Sequence, residues 1–168
     1  DGTVVLLAPG TILNEPIHVA HLCAGDGEPA VSYARTLVVA GRGSECRLVE
    51  TFTSSAASAS LTNAVTEVVV EDNALVDRYK LQQEGGAALH VATLAARLGR
   101  DARFADHSLS FGAALSRNDI DVRFDAEGGD CALAGLFVVD GRRVADTHSR
   151  IEHAQPHCSS RQLYKEVL

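Results

Sequence analysis

Short stretches in which apolar and polar residues alternate recur along the chain, and most of them are rich in β-branched residues. Gly, Asp and Asn residues, which favour turns, bound these stretches. The pattern is typical of strands that bury one face in a core. The predicted strands include residues 3–7, 36–39, 65–70, 120–124 and 136–139.

One segment, residues 86–98, contains the alanines and leucines of a good helix former. It also contains Val91 and Thr93, ends at Gly99 and lies between strand-like neighbours. We therefore predict that this segment is a strand as well, and that the fold class is all-β.

A sequence repeat indicates how the strands are arranged. At four places a polar corner is followed by a small residue and, two positions later, by a large apolar one. The small residues are Cys46, Ala74, Ala102 and Cys131, at spacings of 28, 28 and 29 residues. The large apolar residues are Leu48, Val76, Phe104 and Leu133. A fixed period of this length is typical of stacked supersecondary units.

Each period holds several short strands and turns, whereas a helical repeat would need two amphipathic helices that the sequence lacks. We therefore predict a β-solenoid of about six rungs of roughly 28 residues, folded as a single domain over residues 1–168. The four small residues should stack in register at the tight corners. The four large residues should form one buried column.

Charge and cysteine content narrow the class of protein. Lys and Arg number 15 against 22 Asp and Glu, a net charge of −7 that disfavours binding to nucleic acid. The four cysteines include no CxxC pair, so we expect free thiols in a reducing compartment rather than disulfides or a zinc knuckle.

Because an apolar run long enough for a membrane span and a signal-peptide layout are both missing, we expect a cytoplasmic location. The sequence has no Met and starts at Asp1, which indicates a piece of a longer protein.

Residues 146–158 hold three His, one Cys and two carboxylates, the side chains that iron or zinc would use. In a strand, however, only residues two apart share a face, and the adjacent His157 and Cys158 would point in opposite directions. We therefore favour a structural role for this segment and commit to no metal site. His157 and Cys158 remain the candidate metal ligands.

Two further groups of polar residues have structural interpretations. His18, His21 and Cys23 match no compact metal-binding loop and precede a turn at residues 25–29, so we expect a corner beside an edge strand. A second group could supply the paired carboxylates of a β-helix enzyme that acts on carbohydrate. Because the chain has only eight aromatic residues and no Trp to stack on a sugar, we favour a solvated acidic face. This group is Asp119, Asp121, Asp125 and Glu127.

Several motifs resemble the core of the SufD family, whose members are subunits of the Suf iron-sulfur cluster assembly complex. The two most specific are Leu-Ser-Arg-Asn-Asp-Ile at residues 115–120 and the run from His153 to Lys165. The resemblance covers almost the whole chain, with further matches at residues 14–19, 33–39, 61–63 and 132–137. The chain departs from the family at Glu166, where a Gly is common.

The resemblance implies a right-handed parallel β-helix and a noncatalytic scaffold that pairs with a SufB-like subunit and works with the SufC ATPase. It also implies a helical region before this core and, after it, more strands and a helical segment that docks the SufC ATPase. The Cys and His residues linked to cluster assembly would lie in that later portion, beyond Leu168. The complex would handle the iron-sulfur cluster and ATP, while this chain would bind no cofactor. In agreement, the nucleotide-binding patterns GxxxxGK[ST] and GxGxxG do not occur in the sequence.

A solenoid cut from a longer chain leaves unpaired backbone groups at its last rung, and these groups seek a partner. We therefore predict an interface at Gln162, Leu163, Tyr164 and Lys165, and a symmetric homodimer when the chain is isolated. Two alternatives stay open: a SufB-like paralogue and a carbohydrate-active β-helix enzyme.

Overall fold

The computed structural model describes residues 2–24, 28–54 and 59–167. These residues form strands and turns without a helix. The strands are β1 (Thr3–Leu7), β2 (Ile17–Cys23), β3 (Ala30–Ser32), β4 (Arg35–Ala40), β5 (Glu45–Ser54), β6 (Ser60–Val70), β7 (Leu75–Gln82), β8 (Ala88–Leu98), β9 (Arg103–Ser110), β10 (Leu115–Phe124), β11 (Asp130–Val138), β12 (Val144–Glu152) and β13 (Ser159–Val167).

The strands form two parallel sheets, and from β4 onward the chain visits the sheets alternately. The first sheet has the order β1-β4-β6-β8-β10-β12, with β3 also paired to β6. The second has the order β2-β5-β7-β9-β11-β13. This coiling makes a β-solenoid of about five turns, which confirms the predicted fold class and comes close to the predicted six rungs. The prediction that residues 86–98 form a strand is confirmed by β8.

The interior is filled by the side chains at alternate strand positions, as the period-two pattern predicts. In the first sheet, for example, Val38, Val68, Ala96 and Val122 follow one another in register and are all buried. Burying a side chain of the size of Val stabilises the fold by about 1.5 to 3 kcal/mol. Each such column continues from one turn to the next, so each turn is stabilised by its neighbours.

The predicted stacking of the repeat was wrong in register. Cys46 pairs with Val76 rather than with Ala74, and Phe104 pairs with Cys131 rather than with Leu133. All the predicted residues are buried, but they fall into different columns. The cause is the corner length: Ala74 lies in the turn before β7, whereas Cys46 lies inside β5.

Backbone hydrogen bonds reveal the true corner stack. The amides of Leu75, Arg103 and Asp130 donate to the carbonyls of the corner residue one turn earlier. The stacked corner residues are Ser44, Ala74, Ala102 and Gly129, at spacings of 30, 28 and 27 residues. The residue before each of them has a positive φ: Gly43 (66°), Asn73 (58°), Asp101 (52°) and Gly128 (79°). Gly, Asn and Asp adopt this left-handed backbone most easily, so the small and polar corner residues follow from geometry.

Within the described ranges, the structure holds no helix of the length and hydrophobicity needed to cross a membrane.

Candidate functional site

A ladder of ion pairs lies inside the solenoid. Arg78 on β7 is buried between two carboxylates, Glu50 on β5 and Asp106 on β9. Its Nε donates to Glu50 Oε2 across 2.7 Å, and its Nη1 donates to Asp106 Oδ1 across 2.6 Å. The hydroxyl of Thr66, on the opposite sheet, donates to Glu50 Oε2 at 3.0 Å. One cation therefore joins three consecutive strands of the second sheet, and Glu50 links that sheet to the first.

The charges of this ladder stabilise one another. Burial alone would raise the pKa of Glu50, but the charge of Arg78 and hydrogen bonds from neighbouring side chains outweigh it and hold that pKa well below its usual range. Burial would lower the pKa of Arg78, and the carboxylates of Glu50 and Asp106 raise it instead. Glu50 and Arg78 are therefore both ionised at neutral pH.

A second buried cluster surrounds Glu84, which follows β7. Gln82 Nε2 donates to Glu84 Oε2 at 2.9 Å, and the Thr62 hydroxyl donates to Oε1. His90 Nδ1 lies 2.8 Å from Oε2, but the two groups are not aligned as a hydrogen bond. Burial and the nearby Lys80 charge lower the pKa of His90 to about 4. Burial would raise the pKa of Glu84, whereas contacts with His90, Thr62 and Gln82 lower it, so at pH 7 a neutral imidazole faces a carboxylate.

Lys80 lies between these two clusters. Its Nζ donates to Asn118 Oδ1 on the first sheet and lies 5.6 Å from the centre of the Phe52 ring. Burial lowers the pKa of Lys80 to about 7; the Arg78 charge acts in the same direction, and the Asp106, Glu84 and Glu50 carboxylates oppose it. Lys80 is thus a buried amine that gains or loses its proton near neutral pH.

The sequence predictions missed this interior network, although the alternation contains the signal for it. In β5 the buried Cys46 and Leu48 set the phase, and the same phase directs Glu50 inward. In β7 the phase of Val76 likewise directs Arg78 and Lys80 inward. The charged residues were overlooked because charged side chains in a strand are ordinarily expected on the solvent face.

The candidate metal ligands His157 and Cys158 lie in the last corner, before β13. His157 is exposed with a φ of 60°, whereas Cys158 is half-buried against the core, with its Sγ 3.4 Å from the Ala126 carbonyl oxygen. His153 lies nearby but bonds to the Ser160 hydroxyl at 2.9 Å. Across the described residues, no three His, Cys, Asp or Glu side chains are grouped as metal ligands.

The structure corrects part of the prediction for His18, His21 and Cys23. These residues lie within β2, which is the terminal strand of the second sheet as expected, and not in a corner. His21 points inward, where its ring stacks on Phe52 at 4.6 Å and lies 3.4 Å from Glu50. The predicted turn at residues 25–29 falls largely outside the described residues.

The expected acidic face is a ladder of exposed ion pairs. Each of the four carboxylates meets an arginine, either two residues away in sequence, as Asp119 meets Arg117, or on the neighbouring turn of the solenoid, as Asp121 meets Arg150. The pairs are Asp119 with Arg117, Asp121 with Arg150, Asp125 with Arg97 and Arg123, and Glu127 with Arg100. The carboxylates that a carbohydrate-active enzyme would use on this face are therefore all engaged in ion pairs with arginines.

The closing strand β13 carries the four residues predicted to form an interface. Along its sheet β13 pairs with β11 and is the terminal strand. Leu163 and Lys165 point outward and are exposed; the Leu163 exposure is 61%. Gln162 and Tyr164 lie on the inward face of β13; Tyr164 is half-buried, whereas Gln162 is exposed and its Oε1 accepts a hydrogen bond from Ser149 at 2.8 Å.

Tyr164 covers the end of the interior. Its ring stacks on Phe137, with ring centres 6.0 Å apart, and lies against Gly135. A Cβ at position 135 would approach the Tyr164 ring to 2.3 Å, so the glycine provides the space that the ring occupies. Among the described residues β13 pairs on one edge only, with β11, and its other edge can pair with a further strand.

Comparison with protein families identifies the chain. Residues 22–168 match the family described as SUF system FeS cluster assembly, SufBD core domain. The chain belongs to the SufBD family. The resemblance inferred from the sequence motifs is thereby confirmed.

Individual SufBD relatives are similar at modest identity. A SufBD family iron-sulfur cluster assembly protein of Synechocystis is 29% identical over all of this chain, which covers 39% of the relative. One from Mycobacterium tuberculosis is 28% identical over all of this chain and 41% of the relative. The iron-sulfur cluster assembly protein SufD of Escherichia coli is 28% identical over 90% of this chain and 36% of that protein. This chain thus spans about two fifths of the length of its curated relatives.

Proposed function

We propose that this chain is the core of a noncatalytic, SufD-like scaffold subunit of a cytoplasmic Suf complex. In this role it pairs with a SufB-like subunit and works with a SufC-like ATPase during iron-sulfur cluster assembly. The match of residues 22–168 to the SufBD core family carries the proposal. The similarity to Escherichia coli SufD over 90% of the chain supports a SufD-like rather than a SufB-like subunit.

The geometry supports a scaffold in two ways. Inside the solenoid, Arg78 joins Glu50 and Asp106, and neighbouring strands of each sheet share backbone hydrogen bonds, so each turn is held by the turns beside it. On its outer face the carboxylates are engaged by arginines. We assign the handling of ATP and of the cluster to the partners, with the cluster as cargo of the complex and no cofactor resident in this chain.

We assign the partner interface to the free edge of β13, at Gln162, Leu163, Tyr164 and Lys165. A parallel strand edge offers unpaired N–H and C=O groups, and a partner strand that pairs with them would also cover the exposed Leu163 side chain. In isolation, two copies of this edge should meet around a twofold axis and form a homodimer. In the complex the SufB-like subunit takes the place of the second copy.

Copurification from the host tests the proposal. Tagged full-length protein should retain SufB-like and SufC-like chains, and Leu163→Glu should reduce that retention because it places a charge in the interface. Leu89→Glu is the matched control, since Leu89 is an exposed leucine on the side of the solenoid. Retention of neither chain by the wild-type protein would contradict the scaffold role, and equal loss in both variants would contradict the assigned edge.

The homodimer has its own test. The mass that light scattering measures for the isolated 168-residue chain should rise with concentration toward twice 17.7 kDa, and Leu163→Glu should shift that rise to higher concentration. A strict monomer at high concentration would contradict a self-complementary edge.

A further inference from the structure

A small chamber of about 10 Å³ lies inside the solenoid, between the two sheets. Its walls include the charged and polar side chains of Arg78, Lys80, Asp106, Ser108 and Asn118. Ala92, which pairs in register with Asn118, also lines the chamber and has only a methyl side chain.

Two polar atoms at this chamber have no protein partner among the residues that the structure describes: Ser108 Oγ and Asn118 Nδ2. Ser108 is 2% exposed and Asn118 is 4% exposed, so bulk water does not solvate them. Lys80 also has hydrogen-bond donors that lack a partner among the described residues. Its protonated amine has three N–H donors, and Asn118 Oδ1 is the acceptor found for it within the described part of the chain.

We propose that the chamber is a binding site for one structural water molecule, held by Lys80, Ser108 and Asn118. The water oxygen accepts hydrogen bonds from Lys80 Nζ and Asn118 Nδ2, and one water hydrogen is donated to Ser108 Oγ. A cavity needs at least about 10 to 15 Å³ to hold a water, which makes two to four hydrogen bonds to polar groups. At about 10 Å³ this chamber lies at the lower limit of that size, and its three polar groups supply the hydrogen bonds. It is too small for a ligand with more than one non-hydrogen atom.

The water site gives Lys80 a role that does not depend on the proposed scaffold function. Register places Lys80 beside Ser108 on the neighbouring strand, and Asn118 lies opposite on the other sheet. A shared water links these three side chains across the interior. Lys80 is then partly hydrated although it is buried, which favours its charged form next to the carboxylates of Glu50, Asp106 and Glu84.

A high-resolution crystal structure of the protein tests the site directly. We expect a well-ordered density peak within hydrogen-bonding distance of Lys80 Nζ and Ser108 Oγ. An empty chamber, or Lys80 and Ser108 bonded to each other directly, would overturn the proposal.

Stability measurements on two matched variants give a second test. Ser108→Ala removes a partner of the water and should raise the unfolding equilibrium constant about fivefold to tenfold. Ser110→Ala is the control, because Ser110 is equally buried and unpartnered but does not line the chamber. It should leave the constant unchanged or lower it. Equal effects of the two substitutions, or a stabilising Ser108→Ala, would contradict a bound water.

Discussion

Arg78 and Asp106 occupy the same register position on the neighbouring strands β7 and β9, and Arg78 Nη1 donates to Asp106 Oδ1 across 2.6 Å. Both side chains point into the solenoid and are at most 3% exposed. Burying charged side chains costs free energy of folding unless every charge has a partner. Glu50 supplies the second partner of Arg78, so the stability of three strands depends on one guanidinium.

Replacement of Arg78 by Met should therefore destabilise the protein strongly. The substitution leaves two buried carboxylates, Glu50 and Asp106, without their cation, a change that costs about 3 to 5 kcal/mol. Chemical denaturation of the variant measures the loss. Arg123→Met is the control, because Arg123 makes two ion pairs but is 49% exposed, and exposed pairs contribute little. Equal losses in both variants would contradict the importance of the buried ladder.

The buried Lys80 should make the free energy of unfolding depend on pH. Its pKa is about 7 in the folded chain and 10.5 when unfolded, so between these values the unfolded state binds more protons. Stability therefore rises with pH in this window, by about 1 kcal/mol per pH unit, and the full penalty of burying the charge is present below pH 7.

Lys80→Met removes this dependence, so the difference in unfolding free energy between wild type and variant isolates it. The comparison is needed because burial raises the pKa of the Cys46 thiol to about 11, which lowers stability above pH 9 in both proteins. A difference that does not change between pH 7 and 10 would show that Lys80 has an ordinary pKa.

Gly135→Ala should destabilise the C-terminal end of the solenoid. The new Cβ would lie 2.3 Å from the Tyr164 ring, which must move away from Phe137, and overpacking of this kind costs about 1 to 3 kcal/mol. Thermal unfolding measures the change. Combining it with Tyr164→Ala should give a smaller loss than the sum of the single variants, because the clash is then absent. Strict additivity would mean that the two residues do not interact.

The isolated chain should not retain a stoichiometric iron-sulfur cluster. A cluster needs about four well-placed ligands, and within the described residues no three His, Cys, Asp or Glu side chains are grouped as metal ligands. The measurement is anaerobic incubation with ferrous iron and sulfide, followed by desalting and absorption spectroscopy. A stable cluster that is lost on Cys158→Ser would instead make the corner at His157 and Cys158 a cluster site.

The sequence was sufficient to predict the strands and the solenoid, since both depend on local patterns. Alternation sets the strands, and a repeat of about 28 residues sets the coiling. Register was predicted less well. Ala74 and Cys46 look equivalent beside their polar corners, but one turn is two residues longer, and only the stacked backbone shows that Ser44 is the true counterpart of Ala74.

The interior network was harder to predict because its partners are far apart in sequence. Glu50, Arg78 and Asp106 are each separated by 28 residues, and Lys80 meets Asn118 across 38 residues. The phase of alternation shows that these residues point inward. It does not show which carboxylate faces which cation, because that depends on the relative position of neighbouring strands and of the two sheets.

Native mass spectrometry of the complex copurified with the full-length protein is the most direct test of the proposed scaffold role. The account predicts an assembly that contains this subunit together with SufB-like and SufC-like chains, and loss of the SufB-like chain on Leu163→Glu but not on Leu89→Glu. If the full-length protein is recovered only as a monomer or as a homo-oligomer under conditions in which the other chains are present and folded, the scaffold assignment is contradicted.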